Sequence, residues 1–282
     1  MIPTTAYGPS TLVDPNCIGP DILYLYGGEV RVKFSPEDHK YLVSDVAIDD
    51  GAWLQVPSVT TVIGKMLAKP QLVSWATKLS MQEFLKRVEE GRAYSRAELD
   101  SIAPYVKDAH KMALDAAGKT GSAVHSWLEK FILARDAGRG FPPPPTDLQV
   151  RSCCSAGRKW VIDNDVRPIA VESILFSRKH RVIGTMDLAA TLSVNGCITV
   201  ADFKSSNRLH RSYGLQLSAY KAMLLEQQNI AAEGRILVRL DKTAGTFHPE
   251  KLSQETAAQE EAAFFKLVDA YSTLNGFQFF EE

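Results

Sequence analysis

The sequence predicts an α/β chain in which one mixed sheet is flanked by helices. Two observations carry that expectation. Between about residues 169 and 274, apolar patterning runs strand–strand–strand–helix–strand–helix, the order of a mixed sheet with helical covers. Upstream, apolar residues recur at helical spacing over a long stretch, with a β-rich segment before it.

The elements follow in order. Ile22–Tyr26, Val30–Phe34 and Tyr41–Val46 are short apolar-rich runs, punctuated by Gly27-Gly28, Pro36 and Asp49-Asp50-Gly51. A helical stretch extends from Pro57-Ser58-Val59-Thr60-Thr61 to about Ala137, with Trp127, Phe131 and Ala134 on one face. Gly118 and Gly121 are expected to break it ahead of the helix carrying His125. Phe141-Pro142-Pro143-Pro144-Pro145 reads as a stiff surface connection in polyproline conformation. A helix over about Asp147–Asn164 leads into strands at Ile169–Ser177, Val182–Leu192 and Ile198–Lys204. A helix at Tyr213–Gln228, strands at Arg235–Leu240 and near Thr246, and a helix at Ser253–Leu274 complete the chain. A single domain is expected over 1–282, in three segments: β-rich 1–56, helical 57–165 and core 166–282.

Composition narrows the function. The 45% hydrophobic and 23% charged fractions exclude a disordered, collagen-like or disulfide-framework protein. A net charge of -1 excludes coating nucleic acid by bulk charge and leaves room for a local basic cleft. No run of about 18 apolar residues exists, so no membrane partner is expected. The first basic residue is Arg31, which argues against a secretory or transit peptide. Cys17, Cys153, Cys154 and Cys197 form no C-x-x-C pair and read as reduced thiols, so a cytoplasmic location is expected. Gly118-Lys119-Thr120 lacks the leading glycine of a phosphate loop, position 113 being Ala113, and no nucleotide cofactor is expected.

The chemistry concentrates between Glu172 and Tyr220. Asn195-Gly196 signals a hairpin between Val182–Val194 and Cys197–Lys204. With a two-residue turn there, Asp187 opposes Lys204 and Ala189 opposes Asp202. Asp187, Asp202 and Lys204 then share one face, with the two carboxylates diagonal neighbours roughly 7–8 Å apart at the backbone. Carboxylates at that reach can share an oxygen-preferring divalent cation. A D-x-K tripeptide is most often a solvated ion pair, but Ile198 and Val200 alternate onto the same face as Asp202, which a solvent face does not normally carry. Glu172 sits inside the apolar Ala170–Phe176, where a lone carboxylate is costly. From Phe203 to Leu225 the chain carries Lys204, Arg208, Arg211 and Lys221 and no acid, a setting suited to a phosphate ligand. Gln216 and Tyr220, and likewise His125 and Glu129, are spaced i, i+4 on predicted helices and so share a face.

Taken in order, His125, Glu172, Asp187 in Ile183-Gly184-Thr185-Met186-Asp187, Asp202-Phe203-Lys204 and Gln216-Leu217-Ser218-Ala219-Tyr220 resemble the PD-(D/E)xK nuclease superfamily, in its RecB-type exonuclease branch. Pro57–Ile63 with Leu72 and Trp75 is similar to phage exonucleases and mitochondrial genome maintenance exonucleases. The resemblance covers about Val30 to Tyr220. It departs at Met186, where the superfamily's name has proline. Its iron–sulfur members place three cysteines after the core, whereas the last cysteine here is Cys197, so no iron–sulfur cluster is expected.

The resemblance implies a restriction-endonuclease-like core and a metal-dependent DNA exonuclease acting from free ends. Its Mg²⁺ or Mn²⁺ would be held by His125, Asp187, Asp202 and the Phe203 carbonyl. Lys204 would orient or help deprotonate a water, or neutralise developing charge. Glu172 would support the metal, and Gln216 and Tyr220 would brace the site or touch the strand. Arg178, Lys179, Arg181, Arg208 and Arg211 are candidates for phosphate contacts. Trp75, Tyr94, Tyr105 and Trp127 are candidates for base stacking, which favours single-stranded DNA or overhangs as the partner. A recombination or replication protein is the candidate protein partner. The alternatives are a double-strand recombination exonuclease, a structure-specific endonuclease on the same core, and an inactive DNA- or protein-binding module.

Overall fold

The structure, a computed structural model, describes residues 22–35, 40–193 and 196–276. Cys17, Pro36 and the Val194-Asn195 part of the expected hairpin turn lie outside them. The chain forms two compact units. One takes in the described residues up to Met66 and from Val124 onward; the other is Leu67–Ala123.

The first unit holds two sheets. β1 (Leu23–Leu25), β2 (Val30–Ser35), β3 (Lys40–Asp45) and β4 (Leu54–Val56) form an antiparallel meander. Strand alternation turns Val30, Val32, Val43 and Val56 inward, where they meet Ile174, Phe176 and Ile183 in a shared apolar core. β4, three residues long, carries no sequence signal of its own and forms because β3 offers it an edge. A short helix α1 (Val46–Asp49) opens on Asp45, whose carboxylate accepts from the Ala47 amide at 3.0 Å.

α2 (Val59–Met66) belongs to the same unit, and the bridge Ser58↔Ile183 stitches its start to the second sheet. That sheet has the order β5-β6-β7-β8-β9: β5 (Arg167–Ser177), β6 (Val182–Thr191), β7 (Ile198–Lys204), β8 (Gly234–Leu240) and β9 (Phe247–Lys251). β7 and β8 run parallel, joined by α6 (Ser212–Gln228), and the other neighbours are antiparallel. The expected mixed sheet is therefore present. α5 (Leu148–Asp163) starts on Asp147, which accepts from the Val150 amide at 2.9 Å. It packs Cys153, Ala156, Trp160 and Val161 with Val171, Leu188, Ala201, Phe203 and Val238 from one side of the sheet. α6 lies on the other side, where Gln216 meets Asp202, and α7 (Ala257–Gly276) packs against α6.

Between α2 and α5 run α3 (Gln71–Arg87) and α4 (Arg96–Asp136). α4 passes unbroken through Gly118 and Gly121, contrary to the expectation of a break. Each glycine costs about 1 kcal/mol inside a helix, a weak penalty that a long helix absorbs. In the Leu67–Ala123 unit α3 buries none of its residues. Arg87 lies over the Tyr105 ring at 3.8 Å and Arg92 over Tyr94 at 4.6 Å.

Candidate active site

The hairpin that carries the acids is offset from the two-residue-turn register. Ala189 pairs with Val200 and Leu188 with Ala201, and the ladder closes at Thr191↔Ile198. The connection is longer than two residues, and Leu192, the first residue past the ladder, lies in the core. The Gly196 amide then donates to the Leu192 carbonyl at 2.8 Å, with Gly196 at φ +66°. The shift is two positions, so the faces are kept and the opposition changes. Carried forward, the register sets Asp187 across from Asp202 rather than from Lys204.

Between Asp187 and Asp202 the ladder gives way to side-chain bonding. The Phe203 amide donates to Asp187 Oδ2 at 2.8 Å. On the facing strand Glu172 sits at φ +44°, a left-handed backbone rare for a non-glycine residue and rarer within a strand. The Glu172 carboxylate meets a histidine from α4: Oε1 stands 3.3 Å from His125 Nδ1. Asp187 Oδ2 is also 3.3 Å from that nitrogen. His125 Nε2 reaches the Phe203 carbonyl at 3.0 Å. Oxygen acceptors face both ring nitrogens, so both carry protons.

A second group adjoins the first. Lys204 Nζ donates to Asp202 Oδ1 at 2.9 Å and stands 2.7 Å from Oδ2. Gln216 Nε2 donates to Asp202 Oδ1 at 3.2 Å. Oδ2 is buried and accepts no aligned hydrogen bond. One turn beyond Gln216 on α6, Tyr220 is buried, its ring against Gly184. A Cβ at 184 would lie 2.9 Å from the Tyr220 Cε1 and 3.2 Å from Val59.

Burial and charge set the protonation of these groups. Burial would lower His125, but the charges and hydrogen bonds of Asp187 and Glu172 outweigh it and raise the imidazole well above its usual range. Burial would raise Asp187; the His125 charge and hydrogen bond, with Lys204 and the Phe203 amide, hold it low instead. Burial raises Glu172 against its His125 hydrogen bond. Burial pushes Asp202 up to about 6 in spite of Lys204, with Asp187 adding to the rise. Lys204 would be lowered by burial, but Asp202 and Asp187 raise it, so it stays charged. Burial, then the charges of Asp187 and Asp202, keep the Tyr220 phenol protonated.

Among the described residues, ligand atoms of His125, Glu172 and Asp187 all lie within 4.8 Å of one another. One imidazole nitrogen with carboxylate oxygens suits a divalent cation of the Mg²⁺ or Mn²⁺ kind, while Asp202 Oδ2 faces the Lys204 ammonium at 2.7 Å. The donors present fit such an ion. Glu172 thus joins the set read from sequence, and Asp202 is held by Lys204 and Gln216. An imidazole that ligates must be neutral, so a metal bound here would displace a proton from His125.

The remaining sequence candidates fall elsewhere. Arg178 is committed to the fold: it donates to both carboxylate oxygens of buried Asp45 at 2.8 and 3.0 Å and pairs with Glu29 at 2.8 Å. The guanidinium thus fastens the first sheet to the end of β5. Lys179 is exposed at the β5–β6 turn, and the Arg181 guanidinium lies 5.6 Å over the Phe176 ring. Arg208 and Arg211 are exposed on the segment between Lys204 and α6. Trp127 stacks on Phe131 at 5.5 Å and donates to the Pro143 carbonyl at 2.8 Å, so its ring supports the proline connection. Glu129 is buried in α4. Sequence reasoning missed Tyr41: its hydroxyl bonds Thr185 Oγ1 at 3.2 Å, and burial, with the Glu172 charge adding, raises its pKa. No local pattern signals that contact, which spans 144 positions.

A model of the PD-(D/E)XK nuclease superfamily matches residues 148–277. No curated protein matches the chain. Among solved structures, one described as "Crystal structure of SSO0001" is 14% identical, covering 70% of this chain and 86% of that one, at a TM-score of 0.30. That likeness is too loose to carry an argument.

Proposed function

We propose that this chain, whose residues 148–277 match the PD-(D/E)XK nuclease superfamily model, is a metal-dependent DNA exonuclease of the RecB-type branch, working from free ends and preferring single-stranded DNA or overhangs. The observation that carries the reading is the convergence of His125, Glu172 and Asp187 within 4.8 Å beside the buried Asp202–Lys204 pair.

Those residues, with the Phe203 carbonyl and Asp202, would hold a divalent ion, which when bound polarises a phosphate and acidifies a water. The protein supplies the rest. Lys204, kept protonated by Asp202 and Asp187, neutralises charge developing on the phosphate and orients a water; a raised pKa makes it a poor base. Gln216 fixes the Asp202 carboxylate, and the Tyr220 ring packs against Gly184. Arg208 and Arg211, exposed just beyond Lys204, would bind backbone phosphates without reading bases.

Digestion of end-labelled linear and circular DNA, single- and double-stranded, with Mg²⁺, Mn²⁺ or EDTA tests the proposal. Shortening of linear strands from their ends, circles intact and no activity in EDTA are expected. Internal cuts in closed circles would make it an endonuclease. Binding without cleavage under any metal would make it a binding module.

A further inference from the structure

The outer face of the first sheet is built unlike the inner one. Alternation that turns Val30, Val32 and Val43 inward turns Arg31, Lys33, Lys40 and Leu42 outward, with Tyr24 across from Arg31 and Leu42 across from Lys33. The Trp53 ring lies against this face, with the Lys33 ammonium 4.6 Å and the Arg31 guanidinium 5.3 Å from its centroid. Two cations side by side repel; a shared indole face and, for Arg31, hydrogen bonds to Ser44 at 2.7 Å and the Gly51 carbonyl at 3.2 Å hold them there. Among the described residues, the outward positions of the four strands carry no carboxylate. Glu29 and Asp50 stand off the strands, and Glu29 is paired with Arg178. Tyr24 is 59% exposed and Leu42 37%, a large ring and an aliphatic group left open among the cations.

We infer that this face is a second binding surface for single-stranded DNA, separate from the cleavage site and resting on the nuclease reading above. Fixed cations suit phosphates, and an open tyrosine with a neighbouring leucine suits the faces of unpaired bases, which a duplex hides. An acidic peptide would use the cations and leave the ring idle. The surface would hold a long strand while its end is processed, so its effect should appear only with strands long enough to reach both sites.

The test compares binding of labelled oligonucleotides of about 10 and about 40 nucleotides, measured by anisotropy in EDTA across a salt series, with cleavage of the short one. Lys33→Glu should weaken long-strand binding several-fold and lower the salt slope by about 1, the one lost phosphate contact. Tyr24→Ala should weaken it without changing the slope. Lys33→Arg should bind as the unsubstituted chain does, and all variants should cut the short strand at the unsubstituted rate. Unchanged long-strand affinity in the charge-reversed variant, or equal losses for both lengths, overturns the inference. So does an acidic peptide that competes as well as the strand. If the unsubstituted chain cuts nothing, the nuclease reading fails, while the anisotropy series still decides this surface.

Discussion

Replacing Asp202 by Asn should abolish cleavage and make the protein more stable. The carboxylate is 1% exposed and titrates at about 6 in the fold, against an ordinary 3.8. A folded-state pKa above the unfolded one means the folded protein binds the extra proton between those values, so stability falls as pH rises through that window. At neutral pH the full penalty is present, about 3 kcal/mol at 1.36 kcal/mol per unit. Asparagine keeps the shape and an oxygen for Lys204 without the charge. Part of the gain is lost because Lys204 gives up its ionised partner, with Asp187 and Glu172 still near. A net gain of roughly 1–2 kcal/mol is expected, a rise of a few degrees in Tm for a chain of this size. Thermal unfolding in EDTA at neutral pH and near pH 4 measures it. The variant should melt higher at neutral pH, and the difference should shrink as the unsubstituted protein takes up its proton. A variant less stable at neutral pH, or an offset independent of pH, would refute the account of a buried, under-compensated carboxylate. Cleavage at the normal rate would refute its place in the site.

Other substitutions probe other parts. Lys204→Ala should also abolish cleavage of single-stranded DNA in Mg²⁺ while far-ultraviolet circular dichroism stays unchanged. His125→Ala should weaken metal affinity and alter the Mn²⁺ titration more than the Mg²⁺ one, because imidazole suits manganese better; equal titrations would return His125 to a structural role. Arg235 is fully buried and binds Glu260, Ser218 Oγ at 2.5 Å and the Ser253 carbonyl at 2.5 Å, tying β8 to α6 and α7. Arg235→Ala should cost about 3–5 kcal/mol in denaturant unfolding, and Arg235→Met, paired with Glu260→Leu, far less. Gly184→Ala forces Tyr220 aside and should cost about 1–3 kcal/mol by the same measure, together with part of the activity.

The order of the core was legible because each strand and helix there carries its own period. Val182–Thr191 and Ile198–Lys204 alternate or run apolar, and Asp147 caps α5 where a helix was expected to begin. Faces were legible too, since a two-residue shift in the hairpin leaves parity intact, and Asp187, Asp202 and Lys204 still meet. What local pattern could not supply was commitment. Arg178 reads as basic surface until Asp45, 133 positions away, takes it. Gly118 and Gly121 read as breaks, yet α4 continues through both. Glu172 reads as a supporting acid, and only its left-handed backbone and the contact with His125 bring it into the metal-binding set.

The residue between the acid and the lysine has a consequence for how this site can be mapped genetically. Phe203 sends its ring into the core, edge-on to Trp160 at 5.5 Å, and lends the site only its main chain, an amide to Asp187 and a carbonyl to His125. Both polar groups survive substitution by every amino acid except proline, which lacks the amide. An alanine scan would therefore score position 203 as a packing residue and miss two of the contacts that hold the centre together. Phe203→Pro, or an ester in place of that amide, would expose them. Substitutions at Trp160, buried in the core, would disturb the same two groups through the ring that anchors them.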